Sequence, residues 1–244
     1  MLFLFISLWP LIFKGTELYF KRRKNINDKS DIVKISRNIT SSSHAVILVI
    51  SGLISYYTKN ETLLKNSTIL SISYYIWDTY YILLNKLTKE RMYIYHHFVA
   101  FYLLENILNT NNNCRYLLYN SLILAEISNF SLYPVYHYTK ILDKTDKRNK
   151  KFLFNIKFAQ MIWYVFIRII VFGYINYFHG NIIPVFLRSF ITSIYFMGLY
   201  WACVQIKNLV KEYKKITILK NSSTLINTAI SFEMPSNKQE PKIN

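Results

Sequence analysis

The side chains of this sequence that could do acid–base chemistry stand inside apolar segments. They are His44, Asp78, His96, His97, Glu105 and Glu126. A charge in the middle of a lipid bilayer costs roughly 3 kcal/mol or more, so such groups usually face a partner or a water-filled cavity. These residues therefore mark where function or ion pairing is to be sought.

Asp78 and the histidines are expected at a common depth. His44, Asp78 and the His96–His97 pair each lie about five to seven residues from one end of their segments, or roughly 8 to 10 Å in a helix. A carboxylate can orient a neighbouring imidazole as a general base, although a structural ion pair accounts equally well for the same residues. Because neighbouring helical residues point about 100° apart, at most one of the two adjacent histidines can face a shared cavity.

Two arginines within apolar segments need acidic partners. Arg168 is expected near mid-depth, like Glu126, and Arg188 near the opposite side from Asp78, like Glu105. The matching depths predict two structural ion pairs, Arg168 with Glu126 and Arg188 with Glu105.

Metal and cofactor chemistry find little support in the sequence. Asp78, one histidine and Glu126 have the right ligand types for a metal, but the two carboxylates are expected at different depths. Cys114 and Cys203 are far apart and belong to no CxxC motif, which excludes a cysteine-rich zinc site. Walker, dinucleotide-binding and GxSxG patterns do not occur. We therefore predict no metal and no cofactor.

These residues must be positioned by long apolar segments. Six segments of about 17 to 27 residues are each long enough to cross a bilayer as a helix. They cover residues 39–57, 68–84, 92–108, 116–138, 152–178 and 182–206. Residues 1–13 form a shorter seventh candidate, interpreted as an uncleaved first helix because no basic region precedes it. Pro134 should disrupt the helix that contains it. The predicted fold is all-α, a polytopic membrane bundle of six to seven transmembrane helices.

The distribution of charge predicts an orientation. The chain of 244 residues is 52% hydrophobic and carries a formal charge of +17. Alternate loops hold 24 basic residues on one side of the bundle and three on the other. By the positive-inside rule the basic side is cytosolic, and it includes the C-terminal tail. Because the basic residues are divided among loops between apolar segments, a nucleic-acid-binding groove is excluded.

The sequence accordingly divides into three parts. Residues 1–35 are a hydrophobic segment followed by a basic cytosolic loop, and residues 36–215 are the transmembrane domain. Residues 216–244, rich in Asn, Ser and Lys, are predicted to be a disordered cytosolic tail.

Four short motifs resemble a known family in their order and spacing. They are Ser41-x-x-His44-Ala45, Tyr74-Tyr75-Ile76-Trp77-Asp78, His96-His97-x-x-Ala100 and Ala125-Glu126-Ile127-Ser128-Asn129. The family is the TLC domain, shared by the translocating-chain-associating membrane protein, the longevity-assurance ceramide synthases and the ceroid-lipofuscinosis membrane proteins. The resemblance covers about residues 36–215 and is closest to the small TLC-domain transmembrane proteins.

The resemblance implies a role in membrane lipid homeostasis in an ER-type endomembrane, or in a host membrane if the protein is viral. Its expected partners are membrane lipids, and the oligomeric state, homo- or hetero-oligomeric, stays open. By similarity to ceramide synthases, His96, His97 and Asp78 are catalytic candidates, while His44, Glu126 and Asn129 are candidates for substrate binding. Because the segment from Glu126 to Asn129 departs from the synthase pattern, lipid binding is the first interpretation. The alternative is an N-acyltransferase that uses acyl-CoA as co-substrate.

Overall fold

The computed structural model describes residues 2–22, 28–85, 87, 91–110, 112–143 and 145–232, and all regular elements in these ranges are helical. The α-helices are α1 (Leu2–Arg22), α2 (Lys29–Thr58), α3 (Glu61–Leu84), α4 (Arg91–Asn109), α5 (Asn112–Asn129), α6 (Leu132–Ile141), α7 (Lys147–Tyr164), α8 (Phe172–His179) and α9 (Val185–Phe232). A π-helical segment, Val165–Val171, joins α7 to α8, and a 3-10 turn, Gly180–Ile182, precedes α9. The predicted all-α class is confirmed.

Local polar residues set the helix ends. Asp28, Asn60 and Asp146 each accept a backbone N–H in the first turn of α2, α3 and α7, as good N-caps do. At the end of α2, Lys59 adopts a left-handed conformation and its N–H bonds to the carbonyl of Ser55. These tight ends make α2 and α3 antiparallel neighbours.

Three helical stretches are long and apolar enough to cross a membrane: Lys29–Thr58, Lys147–His179 and Val185–Thr217. The predicted count of six to seven spans is not confirmed. In α3, for example, Ser67, Ser71, Ser73 and Asp78 lower the hydropathy of an otherwise apolar helix. Only 22% of the apolar window in Lys147–His179 is buried within the protein, which leaves an apolar outer face suited to hydrocarbon.

The core lies where α2, α3, α4 and α5 pack together, with α1 against α2 and α3. Trp9 of α1 is fully buried and donates its Nε1–H to Ser73 Oγ at 2.8 Å. The first helix continues past Lys14, which bonds to Glu17 one turn later. The N-terminal segment is therefore a full member of the bundle.

Two helix boundaries bear on the predictions. The segment predicted to be disrupted by Pro134 breaks between Asn129 and Leu132, because proline has no N–H to offer and its ring clashes with the carbonyl four residues earlier. In contrast, α9 runs on to Phe232, past residue 216, where the disordered tail was predicted to begin. No Gly or Pro interrupts this stretch, and each added residue extends an existing helix by one hydrogen bond. Residues 233–244 lie outside the described residues.

Candidate functional site

Asp78 is the centre of a buried polar cluster. It lies on α3, is only 2% exposed, and meets the guanidinium of Arg37 on α2. Arg37 Nε donates to Oδ1 at 2.6 Å and Nη2 donates to Oδ2 at 2.8 Å. This bidentate arrangement is the strongest that a carboxylate makes with a single side chain. Arg37 is therefore the cationic neighbour that the buried carboxylate of Asp78 needs.

His97 joins the same carboxylate from α4. Its Nε2 lies 3.5 Å from Asp78 Oδ2, and its Nδ1 lies 3.1 Å from the hydroxyl of Thr79. A consistent assignment has Nε2–H directed at Asp78 and Nδ1 accepting from Thr79. The order hydroxyl, imidazole, carboxylate is that of an acid–base relay, although the distance to Asp78 is longer than a good hydrogen bond.

His96 points elsewhere, as expected for adjacent residues on a helix. Its ring packs edge-on against Trp201 of α9, with centroids 5.9 Å apart, and against Tyr75 at 6.2 Å. Its Nδ1 is buried with no hydrogen-bond partner in the described part of the chain. Of the two adjacent histidines, His97 is thus the one that reaches Asp78.

His44 belongs to an aromatic layer beside the cluster. Its ring stacks on Tyr74 at 4.1 Å, and Trp9 meets it edge-on at 5.7 Å. Its Nε2 lies 3.0 Å from the hydroxyl of Ser71. These contacts hold α1, α2 and α3 together at this level and account for His44 as a packing residue.

Glu126 is buried on α5, where it has a neutral donor. Tyr75 donates its hydroxyl to Oε1 at 2.9 Å. Asn129 follows Glu126 by three residues on α5, at the end of the same helix. Tyr75 therefore links the two acidic positions, since it lies on α3 one turn before Asp78 and its ring packs 5.2 Å from that of His97.

Neither predicted ion pair forms. Among the described residues, no salt bridge within 4.0 Å joins Arg168 to Glu126, although the two charges lie close enough to interact. Arg168 turns towards Gly198 on α9, whereas Glu126 turns towards α3. The prediction compared only the depths of the two residues in the membrane. Depth does not determine the direction in which a side chain points around its helix.

The predicted pair of Arg188 with Glu105 does not form either. Arg188 Nη1 donates to Asn181 Oδ1 at 3.0 Å, and the side chain of Glu105 is exposed on the outside of α4. Both residues lie near helix ends, where long charged side chains can reach polar surroundings without a partner.

Arg37 and Thr79 are site residues that the sequence interpretation missed. Arg37 precedes the predicted apolar segment 39–57, and its charge was therefore counted among the basic residues of the loop; α2 begins at Lys29 and places Arg37 two turns inside the helix. A signal was available, because Arg37, Ser41 and His44 follow the four-and-three spacing of one helix face. Thr79 carries no pattern that separates it from a packing residue.

The cluster contains no grouping suited to a metal. Within the described ranges, three or more His, Cys, Asp or Glu side chains do not come together at any point in a way that could hold an ion. What the site offers is a paired charge, an oriented imidazole and a hydroxyl.

A sequence profile described as the TLC domain matches residues 34–214. The matched range contains every residue of the cluster, including Arg37. No curated protein and no solved structure matches the chain.

Proposed function

Because the chain belongs to the TLC-domain family, we propose that this membrane protein acts in lipid homeostasis, by binding a membrane lipid or by modulating lipid composition. The observation that carries the proposal is the Arg37–Asp78–His97 cluster. Asp78 lies six residues before the end of α3 and His97 six residues after the start of α4, about 9 Å from the bundle end in each case. A lipid headgroup entering there would meet these polar side chains.

The exposure of the cluster supports a binding role. The Arg37 side chain is 17% exposed and Thr79 is half-buried, while Asp78 is enclosed. A headgroup could therefore meet the charge of Arg37 and the acceptor side of the Thr79 hydroxyl, while Asp78 and His97 hold these two side chains in place. Polar groups that served only to join helices would gain nothing from partial exposure, since buried hydrogen bonds are stronger where water is excluded.

The alternative is an acyl-CoA-dependent N-acyltransferase, and the Thr79–His97–Asp78 order favours it. An amine would replace the Thr79 hydroxyl as the partner of His97 Nδ1 and attack the acyl thioester carbonyl. The C–N bond forms as the C–S bond breaks, and the amine proton passes through His97 to the departing thiolate. Asp78 would hold the imidazole and offset its transient charge.

The proposal includes a location and an orientation. We place the protein in an ER-type endomembrane, or in a host membrane if it is viral, with the C-terminal tail cytosolic and membrane lipids as partners. The loop charges support this orientation. The sequence Asn221-Ser222-Ser223 provides a check, because glycosylation at Asn221 would contradict a cytosolic tail.

Lipid profiling of cells expressing matched variants tests the function. Wild-type protein should change the abundance or chain composition of at least one lipid class relative to an empty vector. His97→Ala should abolish the change, whereas His179→Ala, which removes an exposed histidine from the end of α8, should leave it intact. A wild-type profile identical to the vector, or an unchanged effect of His97→Ala, would refute the proposal.

The same variants separate the two candidates when purified protein is incubated with acyl-CoA and a long-chain amine. Formation of an amide by wild type, but not by His97→Ala, would establish the acyltransferase. Lipid changes in cells without amide formation in this assay would favour the binding role.

A further inference from the structure

A second group of buried polar side chains surrounds Arg168. Arg168 lies in the π-helical segment and is only 1% exposed. In the described part of the chain its Nε and Nη1 have no hydrogen-bond partner, and none of the salt bridges includes it. The two nitrogens belong to different edges of the guanidinium, so each edge that could bind an oxyanion has an unused donor.

Two further unpartnered groups lie near this arginine. Tyr164 lies four residues before Arg168, at the end of α7, and its buried hydroxyl has no hydrogen-bond partner among the described residues. The buried Nδ1 of His96 also has none there. Arg168 packs against Gly198 of α9, and His96 packs against Trp201, one turn later on the same helix. Three residues from α4, α7 and the π segment thus bring polar groups without hydrogen-bond partners to one region, and His96 can donate from Nδ1 in the tautomer that carries the proton there.

The fold makes room for the arginine. A Cβ added to Gly198 on α9 would lie 2.9 Å from Arg168 Cγ and 3.1 Å from its Nε. The ring centroid of Phe172 also lies 5.4 Å from the guanidinium carbon. The Arg168 side chain therefore packs against an aromatic ring and against helix backbone, and neither of them accepts a hydrogen bond from its Nε or Nη1.

Glu126 does not supply an anionic partner for Arg168. Its carboxyl group accepts from Tyr75, and no ion pair within 4.0 Å connects it to Arg168 in the described ranges. A buried guanidinium that makes no ion pair within 4.0 Å is costly, so an anion bound directly to it would be stabilised.

We propose that Arg168, Tyr164 and His96 bind the oxyanion of an anionic lipid, a carboxylate or a phosphate. A lipid is the expected carrier because the stretch Lys147–His179 has an apolar outer face, where Phe166 and Ile170 are exposed about half a helical turn from Arg168. The headgroup would enter between the helices, and the acyl chain would extend into the hydrocarbon around them. The inference rests on the proposed lipid-binding function and adds the chemical class of the ligand.

Quenching of tryptophan fluorescence by brominated lipids tests the proposal with the full chain in neutral detergent micelles. Trp201 packs against His96, so a lipid bound at this site should quench Trp201. The probes are dibromostearate, its uncharged methyl ester and a brominated phosphatidic acid. We expect the acids to bind at least about 10-fold more tightly than the ester, since hydrogen bonds to charged groups contribute this much or more.

Variants then assign the binding to the arginine. Arg168→Gln should weaken binding of the acids about 10- to 100-fold, and Arg168→Lys, which keeps the charge, should weaken it less. Lys157→Gln is the control, because it removes one positive charge from α7, next to the π-helical segment. Lys157 pairs with Glu212, so this variant should bind the acids as wild type does. Equal quenching by acid and ester, or equal binding by wild type and Arg168→Gln, would overturn the proposal.

Two further arms separate the remaining explanations. If wild type binds inorganic phosphate but neither brominated acid, the ligand is free phosphate and the proposal of a lipid ligand is wrong. Recovery of stability by Arg168→Glu combined with Glu126→Arg, relative to either single variant, would show an internal ion pair instead of a ligand site. If wild type binds none of the lipids, including the ester, the proposed lipid-binding function itself fails; if only the Arg168 dependence is missing, this inference alone fails.

Discussion

Replacing Arg37 by methionine would leave the Asp78 carboxylate buried without its guanidinium partner. Asp78 is 2% exposed, and Arg37 donates to both of its oxygens. Removing one partner of a buried ion pair costs about 3–5 kcal/mol, because the remaining charge is no longer compensated. His97, 3.5 Å away, can offset part of this cost only by taking up a proton. We therefore expect Arg37→Met to lose about 3 kcal/mol of unfolding free energy.

The double variant Arg37→Met/Asp78→Asn identifies the cause of this loss. It removes the uncompensated charge, and it should recover at least about 2 kcal/mol relative to Arg37→Met alone. Lys34→Met on the same helix is the control, since Lys34 is 53% exposed and 3.8 Å from Asp31; such surface pairs contribute less than about 1 kcal/mol. Unfolding in mixed micelles of increasing SDS content, followed by tryptophan fluorescence, measures all three. Equal losses in the single and double variants, or in Arg37→Met and Lys34→Met, would refute the reasoning.

The remaining predictions concern single contacts and use the same SDS titration. Tyr75→Phe removes the hydroxyl that donates to buried Glu126 at 2.9 Å and should cost about 1.5–3 kcal/mol; an unchanged midpoint would show that the hydroxyl contributes nothing to Glu126. Gly198→Ala forces Arg168 to move and should cost about 1–3 kcal/mol. Gly15→Ala is its control, because the added Cβ meets nothing within 4 Å; equal effects at the two glycines would contradict the close packing at Gly198.

The helical class could be predicted because it depends on the length of apolar segments, which is visible in the sequence. Pro134 likewise marks a break, since its effect on a helix is local. The π-helical segment Val165–Val171 has no comparable signal, because its residues are ordinary apolar ones around Arg168 and its hydrogen-bond register depends on what packs against it. The number of spans and the end of α9 depended on composition averaged over a window, which does not locate where a helix stops.

The candidate site also combines features that could be predicted from the sequence with features that could not. The family resemblance is confirmed, and the depth of Asp78 and His97 could be read from their distance to helix ends. Direction around the helix could not, which is why Arg168 and Glu126 were paired although they turn towards different neighbours. Arg37 was missed because a basic residue near a loop was assigned to the loop. Its helix phase relative to His44 contained the missing information.

If the Arg37–Asp78–His97 cluster binds a membrane lipid, the purified protein should retain that lipid through the cluster. Mass spectrometry can compare the lipids retained by wild type, by His97→Ala and by Asp78→Asn, with His179→Ala as the matched control. We expect wild type and the control to retain at least one lipid class that both cluster variants lose. The same lipids in the same amounts on all four proteins would contradict it.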